Sequence, residues 1–160
     1  MKSIFTIISL LVIGSCGIFK NKTTMILNGR ATQEILTNKH YAWFTEEYNS
    51  YKANKELINQ LKPLKEDLKV LIVAGTWCGD TQRELPRFFK IANQIGIPAE
   101  NIEMIMVNEK KQSAAFNISV IQVTNIPTFI FFKDGKEQGR IIEKPKTTIE
   151  EDLCNLLNLM

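Results

Sequence analysis

Five apolar residues in a row, Val70-Leu71-Ile72-Val73-Ala74, interrupt an otherwise mixed pattern, and three of them are β-branched. A run of that length without alternation predicts a strand buried on both faces. Residues 82–92 then interleave charged side chains with Leu85, Phe88, Phe89 and Ile91 at helical spacing, which predicts an amphipathic helix. Thr76-Trp77-Cys78-Gly79-Asp80-Thr81 lies between the two, so a cysteine falls where a buried strand turns into a helix. Upstream, residues 30–68 read as mainly helical. Their apolar positions are Ile35 and Leu36, then Tyr41, Phe44 and Tyr48, then Leu57, Ile58, Leu61 and Leu64, and Pro63 should kink or divide the last helix.

Downstream, Gly96 and Pro98 end the helical pattern, and residues 102–107 (Ile-Glu-Met-Ile-Met-Val) predict a mostly buried strand. Residues 109–116 predict a short helix. Asn125-Ile126-Pro127 leads into a strand over 128–132, Lys133-Asp134-Gly135-Lys136 predicts a hairpin turn, and 138–143 is the return strand. A last helix begins near Thr147, where Thr147 and Glu150 match a capping box, and it should bury Ile149, Leu153, Leu156 and Leu157. This order predicts an α/β fold, a central mixed β-sheet flanked by helices on both faces, with an N-terminal helical extension.

With 160 residues, 44% of them hydrophobic, the chain suits one globular domain. The formal charge of +3 is dispersed, and no basic stripe interleaves with aromatics, so a nucleic-acid partner is not expected. At the N-terminus, Lys2 precedes an apolar run over 4–13 that is too short for a permanent span, and Gly14-Ser15 precede Cys16. Ile13-Gly14-Ser15-Cys16 resembles a bacterial lipobox, which implies a lipoprotein-type signal peptide over 1–15, a tether over 16–29 starting at a lipidated Cys16, and a domain over 30–160; an ordinary secretory signal, or an uncleaved helix that contains a cysteine, is the alternative. The aromatic set Tyr41, Trp43, Phe44, Tyr48 and Tyr51 is read as a packing stripe. His40, the one histidine, is read as a surface or partly buried residue, and no metal set or cofactor motif is recognised.

Cys78 carries the chemistry. At a helix N-terminus, free amides and the helix dipole favour a thiolate, the nucleophilic form of cysteine. Thr81, one turn on, can offer the sulfur a hydrogen bond. Asp80 reads as a helix N-terminal acid, with Arg83 or Arg87 available to oppose it. Cys154 is expected to be a small buried hydrophobe rather than a second active thiol.

Trp77-Cys78-Gly79-Asp80-Thr81, the buried strand before it, Pro86 in the helix after it, and Ile126-Pro127-Thr128 ahead of the hairpin occur in the order of the thioredoxin-like superfamily, which the chain resembles over roughly 55–157. More narrowly, it resembles exported bacterial members with W-C-G-D-S/T-x-R-E-x-P-R-F in place of W-C-x-x-C. The resemblance implies that Pro127 is cis and faces Cys78, and that Trp77, Ile126 and Pro127 present substrate. Three departures stand out: Thr81 takes the place of the resolving cysteine, Ile72 that of a buried acid, and Ala74 that of a tryptophan. The expectation is an envelope-facing thiol–disulfide oxidoreductase-like protein of monothiol type. Its catalytic residues would be Cys78 and Thr81, its substrates the disulfides or oxidised thiols of exported proteins, and its recycling partner an external reducing thiol or reductase. A non-catalytic binding or chaperone-like module is the alternative. A thiol peroxidase ranks last, because nothing in the sequence supplies a peroxidatic environment.

Overall fold

The computed structural model of the protein describes residues 25–159; the expected signal peptide and Cys16 lie outside the described residues. Five strands form one mixed sheet: β1 (Gly29–Ala31), β2 (Leu68–Ala74), β3 (Ile102–Met106), β4 (Thr128–Lys133) and β5 (Lys136–Ile142). Their spatial order is β1-β3-β2-β4-β5. The β2–β3 pair is parallel and the other three pairs are antiparallel. Helices α1 (Gln33–Leu36), α2 (Ala42–Ser50) and α3 (Lys55–Leu61) form the N-terminal extension, α4 (Gly79–Ile95) follows β2, and α5 (Ile149–Leu156) closes the chain.

The unbroken apolar run of β2 is explained by its two faces. Val70, Ile72 and Ala74 enter a core with Leu85, Phe88 and Phe89 of α4 and Leu153 of α5. Val73, of opposite parity, enters a second core with Ile105, Ile118, Ile126 and Ile130. Phe88 ties helix to sheet, its ring centroid 5.0 Å from that of Phe129 and 6.3 Å from that of Phe131. Each such buried side chain contributes roughly 1.5–3 kcal/mol. The aromatic stripe is packing: Tyr41 and Phe44 are buried, and Phe44 meets Phe89 of α4 at 5.9 Å.

Several local signals act as their chemistry dictates. Asp134 and Gly135 both have positive φ, 52° and 71°, the geometry an Asp-Gly hairpin turn needs. Gly96 ends α4 at φ 88°. Pro63 ends α3 by turning the chain into a 3-10 segment, Lys62–Leu64.

Other expectations need correction. No helix forms over 109–116, because the Asn108 side chain accepts from the amides of Lys110 and Gln112, both at 3.0 Å, and Lys111 turns left-handed at φ 56°. The second face of the sheet there is closed by loop and by a 3-10 turn, Ile118–Ile121. The mainly helical reading of 30–68 also passes over β1, which pairs with β3 from Gly29↔Met106 to Ala31↔Met104. At α5 the cap is Thr148, whose hydroxyl accepts from Glu151 N at 3.2 Å. Thr147 instead donates to Asp152 Oδ1, and Glu150 is buried. Of the four apolar residues expected in that helix, Ile149 and Leu153 are buried, while Leu156 and Leu157 are half-buried.

Candidate active site

Past Ala74, β2 must turn sharply to start α4, and Gly75 permits it. A Cβ on Gly75 would lie 2.7 Å from Trp77 Nε1 and 2.9 Å from Ile126 Cδ1, so hydrogen is the only substituent the corner admits without a shift. The Trp77 indole can then donate to the Val107 carbonyl at 3.1 Å, which fixes the ring beside the cysteine. Thr76 is fully buried; its hydroxyl donates to Met25 O at 2.8 Å and accepts from Leu27 N at 3.3 Å. Gln82 reaches back to Thr76 O at 2.8 Å and closes the turn from the helix side.

Cys78 is the N-cap residue of α4, with extended backbone at φ −85° and ψ 126°. It is half-exposed. Its thiol makes no capping bond; it donates to the carbonyl of Ile126 at 3.5 Å. The Ile126–Pro127 bond is cis, in keeping with the resemblance, and Pro127 O accepts from Glu143 N at 2.7 Å. Trp77, Cys78 and Ile126 share one apolar cluster, so three of the expected site residues meet at a single point. Ile126 and Pro127 are buried, which leaves backbone, not side chain, as what this edge can offer a substrate.

Thr81 sits differently from the expectation. It is fully buried, and its hydroxyl accepts from Gly75 N at 3.4 Å instead of bonding the Cys78 sulfur. The strand-to-helix corner leaves that amide pointing inward, and the Thr81 oxygen satisfies it. Thr81 therefore positions the turn that carries Cys78. Ile72 and Ala74, at the positions of the missing acid and tryptophan, are buried core residues.

Cys154 is fully buried in the core on the α4–α5 side of the sheet, whereas Cys78 packs against the other core. Burial pushes the Cys154 thiol up, and the carboxylates of Glu150 and Glu151 add to it. His40 is exposed, and among the described residues no group of three or more His, Cys, Asp or Glu side chains could hold a metal ion.

The charged flank of α4 was only partly foreseen. Arg83 answers Asp80 at 2.6 Å and also binds Glu84 at 2.6 Å. Those contacts, that to Glu84 first, hold the Arg83 guanidinium above its ordinary value. Arg87 pairs with Glu47 of α2 at 2.7 Å and lies 3.5 Å from Glu84. Glu84 is 2% exposed, and its Oε2 has no hydrogen-bond partner among the described residues. Sequence reading passed over Glu84; its signal is an acid on the apolar face of α4 with arginines one residue before it and three after it. Tyr51 and Glu150 form a second buried polar contact, the phenol donating to Glu150 Oε2 at 2.8 Å while Asn54 N donates to Oε1 at 2.9 Å. Burial first, then Glu150, hold the Tyr51 phenol well above its ordinary value.

A family model described as thioredoxin matches residues 30–153. A thioredoxin-like protein of Acanthamoeba polyphaga mimivirus is 26% identical over 93 residues, 56% of this chain, and the match spans 65% of the viral protein's length. Thioredoxin of Gallus gallus is 26% identical over 98 residues, 61% of this chain and 88% of that protein. Among solved structures, Fasciola hepatica thioredoxin superposes with a TM-score of 0.40 at 27% identity, covering 66% of this chain and 88% of that one. A Pseudomonas aeruginosa protein of unknown function gives a TM-score of 0.48 at 18% identity, covering 74% of this chain and 70% of that one.

Proposed function

The chain belongs to the thioredoxin family, and from that premise we propose that it performs thiol–disulfide exchange through a single nucleophile, Cys78, on disulfides or oxidised thiols of exported proteins. The observation that carries this reading is the half-exposed Cys78 sulfur at the start of α4, 3.5 Å from the Ile126 carbonyl at a backbone edge where an extended peptide can lie. The Cys78 thiolate attacks one sulfur of the substrate disulfide; a Cys78–substrate S–S bond forms, the substrate S–S bond breaks, and the departing thiolate takes up the proton that Cys78 gave to solvent. Thr81 has no sulfur with which to attack the adduct. Two external thiol groups, on two small molecules or as the pair of a reductase, must supply the two electrons of a net reduction: one attacks the adduct, and the second resolves the remaining mixed disulfide, so that the external pair ends as a disulfide.

The same reading anchors the protein at the bacterial cell envelope through lipid on Cys16. What supports it is the Ile13-Gly14-Ser15-Cys16 sequence behind a short apolar run. Among the described residues no helix is long and apolar enough to cross a membrane. Cys16→Ser should move the protein out of the membrane fraction, and unchanged fractionation and migration would remove the anchor from the reading.

A non-catalytic binding module is the second reading, favoured by Ile72 and Thr81, both fully buried where a dithiol enzyme keeps its acid and second cysteine. One experiment separates the two. The full chain is incubated with a peptide disulfide and analysed by non-reducing mass spectrometry, before and after addition of glutathione. Exchange gives an adduct on Cys78 that glutathione releases, whereas a binding module gives no adduct and association that survives Cys78→Ser.

A further inference from the structure

Two stretches of chain wall the site, and the segment ahead of β1 is bonded to both. On the Cys78 side, the Thr76 hydroxyl donates to Met25 O at 2.8 Å and accepts from Leu27 N at 3.3 Å. These two backbone groups lie either side of Ile26, so one side-chain oxygen uses its donor and its acceptor on the same stretch of backbone. On the Ile126 side, Asn28 Oδ1 accepts from Ala114 N at 2.7 Å, and a Cβ on Gly29 would lie 3.8 Å from that of Ala114. Ala114 belongs to the chain between β3 and the cis bond at Ile126–Pro127, and its neighbours Ala115 and Phe116 pack on the cluster that holds Trp77, Cys78 and Ile126. Residues 25–28 thus strap the corner that carries the sulfur to the loop that carries the Ile126 carbonyl. The rest of the corner is fixed from α4 and β3: Gly75 N by Thr81, Thr76 O by Gln82, and the Trp77 indole by Val107 O. Thr76 is fully buried, so water cannot take over the partners of its hydroxyl without opening the corner.

We propose that Thr76 is a positioning residue for Cys78, and that the strap it binds holds the sulfur in register with the Ile126 edge. The inference rests on Cys78 acting as the nucleophile of disulfide exchange with a peptide seated at that edge. Thr76 touches no reacting atom. Its effect falls on the alignment of Cys78 Sγ with Ile126 O, 3.5 Å apart, which a peptide disulfide lying along the edge needs and a small disulfide does not. A misplacement on the order of 1 Å in such an alignment costs about 10²-fold in rate, and a partial release of the corner about tenfold.

The test uses the full chain and two disulfides: the symmetric dimer of a short uncharged peptide with one central cysteine, and 2-hydroxyethyl disulfide. Adduct formation on Cys78 is timed by peptide mass mapping. Each rate is divided by that of the same disulfide with free 2-mercaptoethanol, which removes differences in leaving-group chemistry. In wild type the normalised peptide rate should exceed the small-disulfide rate by about tenfold or more. Thr76→Val, which keeps the shape of the side chain and removes its hydroxyl, should cut that preference about tenfold and speed hydrogen exchange at the Leu27 amide. Thr76→Ser should retain the preference. Asn28→Ala, at the exposed end of the strap, should lower the preference with little change in the urea midpoint. A strap that only stabilises the fold would move the midpoint and leave the preference in buffer at its wild-type value. A preference unchanged in Thr76→Val or in Asn28→Ala, lost equally in Thr76→Ser, or absent from wild type overturns the positioning role and leaves the exchange reading standing. Failure of both disulfides to modify Cys78 overturns both.

Discussion

Replacing Gly75 with alanine would place a methyl carbon 2.7 Å from Trp77 Nε1, 3.0 Å from Trp77 Cε2 and 2.9 Å from Ile126 Cδ1. All three atoms belong to residues that flank Cys78, and none can yield alone. The indole is held by its bond to Val107 O, and the Ile126 side chain is buried in the second core. Overpacking of this kind costs about 1–3 kcal/mol, and loss of the indole hydrogen bond adds about 1 kcal/mol. The sum, about 2–4 kcal/mol, leaves most domains of this size folded in buffer but lowers the urea midpoint by about 1–2 M for an m-value of roughly 2 kcal/mol/M. The assay is urea unfolding followed by circular dichroism, run beside iodoacetamide labelling of Cys78, whose rate should change as Trp77 and Ile126 shift. Gly79→Ala is the control, since its added carbon meets nothing within 4 Å and its midpoint should match wild type. A Gly75→Ala midpoint equal to that of Gly79→Ala, with Cys78 labelling unchanged, would refute the corner as the device that sets the site.

Thr81→Cys should give a chain that forms an intramolecular disulfide with Cys78 and reduces insulin in the presence of a dithiol reductant, with wild type inactive and accumulating mixed disulfides; a variant that oxidises without forming that bridge would contradict the placement of residue 81 one turn from the sulfur. In native protein iodoacetamide should label the half-exposed Cys78 and spare the fully buried Cys154 until urea is added, and equal labelling in buffer would sink the assignment. Because burial raises the Cys154 thiol, the unfolded chain loses that proton first, so stability present below about pH 8.5 is lost as pH rises toward the folded value, and Tyr51 extends the loss above about pH 10. The urea midpoint should therefore fall on the alkaline side, less steeply in Cys154→Ala, and parallel pH profiles would argue against a thiol titrating in the core.

The parts of the fold legible in the sequence are those whose side chains do the holding. The run over 70–74 had to be buried on both faces, the helix after it had to lie against it, and Asp134-Gly135 had to turn; each follows from residue chemistry over a few positions. β1 escaped because Gly29-Arg30-Ala31 is fastened by backbone pairing to β3, which leaves no hydrophobic pattern to read. The helix over 109–116 failed on one side chain, since Asn108 captures two amides that a helix would have needed to leave free. At the site, helical spacing put Thr81 near Cys78, but it could not show that the amide of Gly75, six residues back, would claim the hydroxyl. Glu84 was hidden for a related reason: a charged residue reads as solvated until the fold buries it, here with Arg83 and Arg87 of its own helix as partners and Arg87 tied in turn to Glu47 of α2.

The two hydrogen bonds at Thr76 have a mechanical side. Met25 and Leu27 are tied to the same hydroxyl, two residues before Cys78, ahead of the point where β1 joins the sheet. Among the described residues, a pull arriving along the chain ahead of Met25 is therefore borne first by that single oxygen. Its two bonds, worth on the order of 1 kcal/mol each, would part before the β1–β3 ladder does. The load path runs into the corner that carries the sulfur, so tension on the chain would be felt two residues from the Cys78 thiol.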